Sequence, residues 1–211
     1  MFVKICGLTT LDAAEAAIGF GADAIGLVLS RTSPRRIEPE AAREIVAAVA
    51  GRAQTVLVVH DVSAAEAALA AERVGVDVLQ MHGPYTREDF ATALAAFPRV
   101  WRATSIAKDP QVRAHEYGEE RLLLDGAQPG SGERWDLSRL GGADAAERLG
   151  TEWILAGGLD PQNVGEAIAA VRPWGVDVSS GVESARGVKS IELIERFIAN
   201  ARRAAISPSA Q

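Results

Sequence analysis

Short β-branched runs alternate with alanine- and glutamate-rich segments along the chain, and this rhythm limits the folds open to it. Strand-like runs occur at residues 2–6, 23–29, 54–60, 77–81, 99–103, 121–125, 152–156 and 175–179. Several, such as 24–29 and 56–59, are apolar at every position. Strands of that kind are covered on both faces and belong to parallel sheets. Helical segments fall between them at 10–20, 39–50, 63–74, 86–97, 161–171 and 190–203. Ser63 with Glu66 forms a capping box, and Gly75 supplies a stop. Residues 109–117 and 137–149 are weak helices, so short or irregular elements are expected after strands five and six. Gly21-Ala22-Asp23, Gly75-Val76-Asp77 and Gly175-Val176-Asp177 form a faint repeat, with aspartates 54 and 100 residues apart. These spacings are about two and four units of roughly 26 residues, and eight such units fill the chain. The pattern predicts a compact α/β protein, a single-domain (β/α)8 TIM barrel over residues 1–206, with 207–211 as a disordered C-terminal tail. A doubly wound open sheet is the competing architecture. It would normally carry a glycine-rich G-x-G-x-x-G turn after strand one, and Gly7-Leu8-Thr9 is not one.

Charge and cysteine usage narrow the function. The net charge of −6 disfavours a general nucleic-acid binder, which needs a basic face to displace counterions. It leaves room for a small anionic ligand held by a few local donors. The lone Cys6 forms no internal disulfide and suits a reducing compartment. No apolar run approaches the ~18 residues of a membrane span. The first residues already read as a strand rather than a cleavable signal, so a cytoplasmic location is expected. Monomer and homodimer are equally compatible with the sequence.

In a barrel the site lies at the C-terminal strand ends. On strand one, Lys4 and Cys6 share a face opposite Val3 and Ile5, which aims Cys6 into the mouth. On strand six, Leu123 and Asp125 share the inward face. Strands one and six are three steps apart in a closed ring of eight, so a thiol and a carboxyl face each other across a roughly sugar-sized gap. That pair suits acid–base chemistry. A lone cysteine is, taken alone, more often core filler. Strands seven and eight end at Gly157-Gly158 and Ser180-Gly181, a predicted phosphate cradle completed by a short helical turn after Gly181. Tight turns without a ligand are the plainer reading of these glycines. Arg35, beside Arg36, is placed to grip a carboxylate by two parallel hydrogen bonds. His60 and His82 end strands three and four. With an aspartate they could in principle bind a metal, but no further ligand pattern supports one, and none is expected. His82 and Asp177 are expected to position the substrate.

The residues Lys4-Ile5-Cys6-Gly7-Leu8-Thr9, Ser33-Pro34-Arg35, Leu79-Gln80-Met81-His82-Gly83, Leu123-Leu124-Asp125, Gly130-Ser131-Gly132, Ala156-Gly157-Gly158-Leu159 and Val176-Asp177-Val178-Ser179-Ser180-Gly181-Val182-Glu183 run from end to end. In these the chain resembles the phosphoribosylanthranilate isomerases of tryptophan biosynthesis. The resemblance implies an Amadori rearrangement of N-(5-phosphoribosyl)anthranilate to 1-(2-carboxyphenylamino)-1-deoxyribulose 5-phosphate, with no cofactor. It implies Asp125 as general acid, Cys6 as general base, Arg35 on the anthranilate carboxylate, and the backbone at Gly157, Gly158, Ser180 and Gly181 on the phosphate. A helix N-terminus after Gly7 would lower the thiol pKa, and burial would raise that of Asp125. Arg36, Arg31-Thr32, Ser190 and His60-Asp61 depart from the family's usual residues without touching these groups. Two rivals stay open. One is a bifunctional phosphosugar isomerase, which would carry a second phosphate cradle and usually an aspartate in place of Cys6. The other is a non-catalytic barrel that binds a phosphorylated ligand.

Overall fold

The computed structural model describes residues 1–125, 140 and 143–206. Its eight predicted strands form and pair in chain order: β1 (Phe2–Cys6), β2 (Ala24–Val28), β3 (Gln54–Val59), β4 (Val78–His82), β5 (Val100–Ser105), β6 (Arg121–Asp125), β7 (Ile154–Leu155) and β8 (Gly175–Val178). Each lies parallel to the next, and β8 returns beside β1 to close the barrel. Around it run α1 (Leu11–Gly19), α2 (Pro39–Val49), α3 (Ala64–Val74), α4 (Arg87–Ala96), α5 (Ala143–Leu149), α6 (Val164–Val171) and α7 (Ile191–Ile206). None of these helices is long and apolar enough to cross a membrane.

Strand parity sorts the core into two layers. Val3, Ile5, Ile25, Leu27, Leu122 and Leu124 point outward and pack against the helices. Cys6, Ala24, Val28, Val56, Val58 and Leu123 point inward. The inner layer also contains Trp101, with Phe2 and Trp174 packed against it. Phe2 stacks on Trp174 with ring centroids 4.5 Å apart and meets Trp101 edge-on at 6.0 Å, so aromatic rings close the end of the barrel where β1 and β8 begin. The capping box of Ser63 with Glu66 forms on α3 as the sequence predicts, and a second, Thr86 with Asp89, forms on α4.

The Gly-x-Asp repeat divides into two uses. Asp23 accepts from the Val3 amide and Asp77 from the Thr55 amide, both at 2.7 Å, so each ties a strand entry to its neighbour. Asp177 lies one step further in, within β8, and points into the barrel.

Some boundaries differ from the expectation. Residues 109–117, where a short or irregular element is expected, form turns, with His115 and the following Gly118 at positive φ of 62° and 82°. Within the expected weak helix at 137–149, Ala143–Leu149 is helical, and residues 137–139 and 141–142 lie outside the described residues. Helix α6 starts at Val164 rather than 161, because the Asp160 carboxylate accepts from the amides of Gln162 and Asn163 and folds that stretch into a turn. After β8 a one-turn helix forms at Ser180–Val182, around Gly181 rather than after it, followed by an unpredicted hairpin, β9 (Glu183–Ala185) and β10 (Val188–Lys189). The loop at 126–135 with Gly130, Ser131 and Gly132, and the tail at 207–211, lie outside the described residues.

Candidate active site

A cavity of about 330 Å³ opens at the C-terminal ends of the strands. It is large enough for a phosphosugar carrying one aromatic ring. Cys6, Arg35, His82, Asp125, Gly157, Gly158, Asp177 and Ser180 all line it, so every site residue expected from sequence except Gly181 meets there.

Cys6 occupies space that β2 leaves for it. Gly26 is its partner across the strand pair, and a Cβ there would stand 2.8 Å from Sγ. Beneath it lies Lys4, with no exposed surface, whose Nζ donates to Asp177 Oδ1 at 2.9 Å. Lys4 and Asp177 are register partners on adjacent strands, which is why two residues 173 apart in sequence meet. Burial alone would discharge Lys4, but Asp177 and then Cys6 outweigh it and raise its pKa. For the thiol, burial dominates and pushes the pKa up, while Lys4 and Lys189 pull it down and Asp177 adds to the rise. The expected lowering by a helix N-terminus is therefore corrected. Helix α1 starts at Leu11, five residues beyond Cys6, and the charges that favour the thiolate are lysines.

Asp125 faces this group across the cavity from β6, as parity predicts. Its Oδ2 lies 3.6 Å from Nε2 of His82. Burial, with the neighbouring His60, Lys4 and Lys108, depresses the His82 pKa to about 4, so this imidazole is neutral near pH 7. The His60 and His82 rings lie 5.9 Å apart. No group of three or more His, Cys, Asp or Glu side chains suited to hold a metal occurs among the described residues.

Arg35 reaches the mouth from the β2–α2 loop, but one edge of its guanidinium is already committed. Nε donates to Glu183 Oε1 at 2.5 Å and Nη2 to Oε2 at 3.0 Å. A substrate carboxylate therefore cannot use that edge, which refines the expected two-bond grip. The glycines of the predicted cradle divide in role. Gly157 and Gly158 have φ of 80° and 62°, the left-handed region that favours glycine, and line the cavity. Gly181 does not line it. A Cβ at Gly181 would stand 1.9 Å from the Leu159 carbonyl oxygen, so this glycine lets the two strand-end loops touch and sets their spacing.

Sequence reasoning assigned no role to Lys4, Gln80, Glu183 or Lys189. Lys4 was legible as Cys6's companion on the strand face, and a lysine pointing into a barrel was itself the signal. Gln80 lines the cavity, 2% exposed, and its Oε1 has no hydrogen-bond partner among the described residues. Glu183 and Lys189 belong to the unpredicted hairpin and carried no such signal.

Comparison with known proteins agrees with this geometry. The family model for N-(5'phosphoribosyl)anthranilate (PRA) isomerase matches residues 3–200. A curated N-(5'-phosphoribosyl)anthranilate isomerase from Geobacter sp. (strain M21) is 39% identical over 206 residues, covering 95% of this chain and 98% of its own. The crystal structure of TrpF from Jonesia denitrificans is 48% identical, with a TM-score of 0.89 and 98% of both chains covered. A phosphoribosyl anthranilate isomerase solved in complex with reduced 1-(o-carboxyphenylamino)-1-deoxyribulose 5-phosphate is 32% identical, with a TM-score of 0.80 over 96% of this chain and 99% of that one. With matches that run nearly end to end and a closed barrel of eight parallel strands, this chain belongs to the N-(5'-phosphoribosyl)anthranilate isomerase family.

Proposed function

We propose that this chain catalyses the Amadori rearrangement of N-(5-phosphoribosyl)anthranilate to 1-(2-carboxyphenylamino)-1-deoxyribulose 5-phosphate by general acid–base catalysis. The observation that carries the reading is the placement of Cys6 and Asp125 in one cavity that also receives Arg35 and the Gly157-Gly158 turn. In this reading Asp125 protonates the ribose ring oxygen as the C1–O bond breaks. The anthranilate nitrogen and C1 become an iminium, which is itself the electron sink. Cys6, as thiolate, takes the proton from C2, and the resulting enolamine tautomerises to the ketone. The chemistry calls for no further electron acceptor. The N–H groups at Gly157, Gly158, Ser180 and Gly181 are assigned to the phosphate, with the turn Ser180–Val182 directing its N-terminal end at the anion. Neutral His82 and the Asp177 carboxylate are assigned to the sugar hydroxyls. The molecule it acts on is thus a small phosphorylated sugar derivative.

Loss of anthranilate-type fluorescence on adding enzyme to fresh substrate tests the activity. Cys6→Ser and Asp125→Asn, made separately, are each expected to lower kcat/KM by about 10²- to 10⁴-fold. Near-full turnover by either variant removes that residue's role, and a folded wild type that leaves the fluorescence unchanged favours a binding protein.

A further inference from the structure

Glu183 does not line the cavity and takes no part in the proposed proton transfers, yet it accepts four hydrogen bonds just behind it. Two come from Arg35. The others come from Lys189 Nζ at 2.9 Å and the Gly187 amide at 3.0 Å. Burial disfavours ionisation of Glu183, but these donors, Arg35 first, outweigh it and hold the pKa at about 2. The carboxylate is therefore charged at any working pH. Its side chain is 5% exposed and that of Lys189 2%, so water competes for neither.

Arg35 lies between this carboxylate and the cavity. It lines the cavity itself, while Glu183 holds the Nε–Nη2 edge of its guanidinium. Nη1 makes no hydrogen bond among the described residues, and Nη2 keeps a second N–H. Together they form the end-on fork that suits a carboxylate. The surroundings leave the stem little freedom. A Cβ on Gly7 would stand 2.6 Å from Arg35 Cδ, and one on Gly187 would stand 2.8 Å from the Pro34 carbonyl oxygen. The β9–β10 hairpin and the Pro34–Arg35 loop are thus packed at backbone distance. Lys189 also donates to the Ser179 carbonyl oxygen at 2.7 Å, which ties the hairpin to the end of β8.

We infer that Glu183, braced by Lys189 and the β9–β10 turn, is a positioning residue that fixes Arg35 with its Nη1–Nη2 edge facing the cavity, so that the site selects substrates bearing an aryl carboxylate. The inference rests on the proposed activity. A loose arginine must be ordered when ligand binds, which weakens binding, whereas one already held by a buried carboxylate is preorganised. The opposite idea, that Glu183 merely occupies Arg35 until substrate displaces it, predicts the opposite sign. Displacement would break the two Arg35 bonds and leave the Lys189 and Gly187 donors on Glu183 with no gain to the ligand, since neither residue lines the cavity.

The test compares two compounds on the intact enzyme, N-(5-phosphoribosyl)anthranilate and its carboxylate-free counterpart N-(5-phosphoribosyl)aniline. Glu183→Gln should lower the ratio of their kcat/KM values by about 10-fold or more, chiefly through a higher KM for the anthranilate compound. Because that variant leaves Lys189 buried without its anion, the double variant Glu183→Gln/Lys189→Met is measured beside it, and should show the same loss of selectivity in a fold of ordinary thermal stability. A fall of equal size for both compounds means a structural role only and overturns the inference. So does an unchanged ratio in the double variant, or an improved KM for the anthranilate compound. A wild type that turns over neither compound overturns the activity itself, and the two failures are thereby distinct.

Discussion

Lys4 and Arg102 are both buried cations on barrel strands, Lys4 on β1 pointing inward and Arg102 on β5 pointing outward. Lys4 has one carboxylate, Asp177, at 2.9 Å. Arg102 has several acidic neighbours, with Asp109 at 2.9 Å, Glu116 at 3.7 Å and Glu119 at 4.0 Å, and its guanidinium lies 3.8 Å over the Tyr117 ring. The inner cation lies beneath the cavity-lining Cys6 and favours its ionisation. The outer one sits where a helix would normally cover β5, and its partners come from the turns at 109–119 that stand in for that helix. Buried charge thus serves chemistry on one side of the barrel wall and covers a gap on the other. The inner pair is a single contact with no substitute, while the outer cluster is redundant.

The largest expected effect breaks the inner pair. Lys4→Met leaves Asp177 buried without its cation, a loss of about 3–5 kcal/mol of stability. Lys4→Met/Asp177→Leu restores an apolar interior and should recover most of that, because buried pairs can often be replaced by packed hydrophobics. It should not recover activity. In the proposed mechanism Cys6 acts as thiolate, and burial already raises its pKa. The rising limb of kcat/KM against pH should therefore continue beyond the ordinary thiol value of about 8.5 in the wild type. The groups bearing on the thiol are Lys4, Asp177 and Lys189. Removing Lys4 takes away the foremost charge that favours ionisation, which moves the limb further alkaline and lowers activity at pH 7. Loss of Asp177 acts the other way on the thiol, so the single Lys4→Met variant should show the greater displacement. A single variant with an unmoved pH profile would show that Lys4 is structural only.

Next comes Arg102→Met, which reverses the signature. It should cost about 3 kcal/mol in chemical denaturation, since Asp109, Glu116 and the fully buried Glu119 lose their shared cation. Turnover of the remaining folded enzyme should stay within about 2-fold, and its pH profile should not move. If kcat falls with stability intact, the division between inner and outer charge is wrong.

These two regions also show what a sequence gives up to inspection. The eight strands were legible from β-branched runs, and the aim of Cys6 and Asp125 from alternation, because period-two parity is a local property. The capping box at Ser63 was legible for the same reason. The partners of the charged groups were not. Lys4 meets Asp177 only because β8 closes onto β1 in one register, and Arg35 meets Glu183 across 148 residues through a hairpin with no strong strand signal. The missing helix after β5 followed a local cue, weak periodicity, but its replacement by a cluster around Arg102 depends on contacts made in the folded chain. The thiol pKa was misjudged because helix proximity can be read locally, whereas depth of burial cannot.

A gentler change separates stability from chemistry at the outer site. Tyr117 offers its ring face to Arg102 at 3.8 Å and to Arg87 at 5.2 Å, and packs edge-on against Phe90 at 5.4 Å. Tyr117→Leu keeps apolar bulk against Phe90 but removes the face that both guanidinium groups use. A desolvated cation–π contact is worth about 1–2 kcal/mol, and the exposed Arg87 contributes little of it. The Tyr117 amide still donates to Glu119 Oε2 at 2.8 Å, so the backbone of the turn keeps its anchor. Asp109 still pairs with Arg102. The expected outcome is therefore a loss of about 1 kcal/mol in denaturation midpoint measurements, with kcat and KM unchanged. A loss as large as that of Arg102→Met would mean that the ring, rather than the carboxylates, carries the cation. The outer cluster would then be a single contact like the inner one, and the contrast between the two would fail.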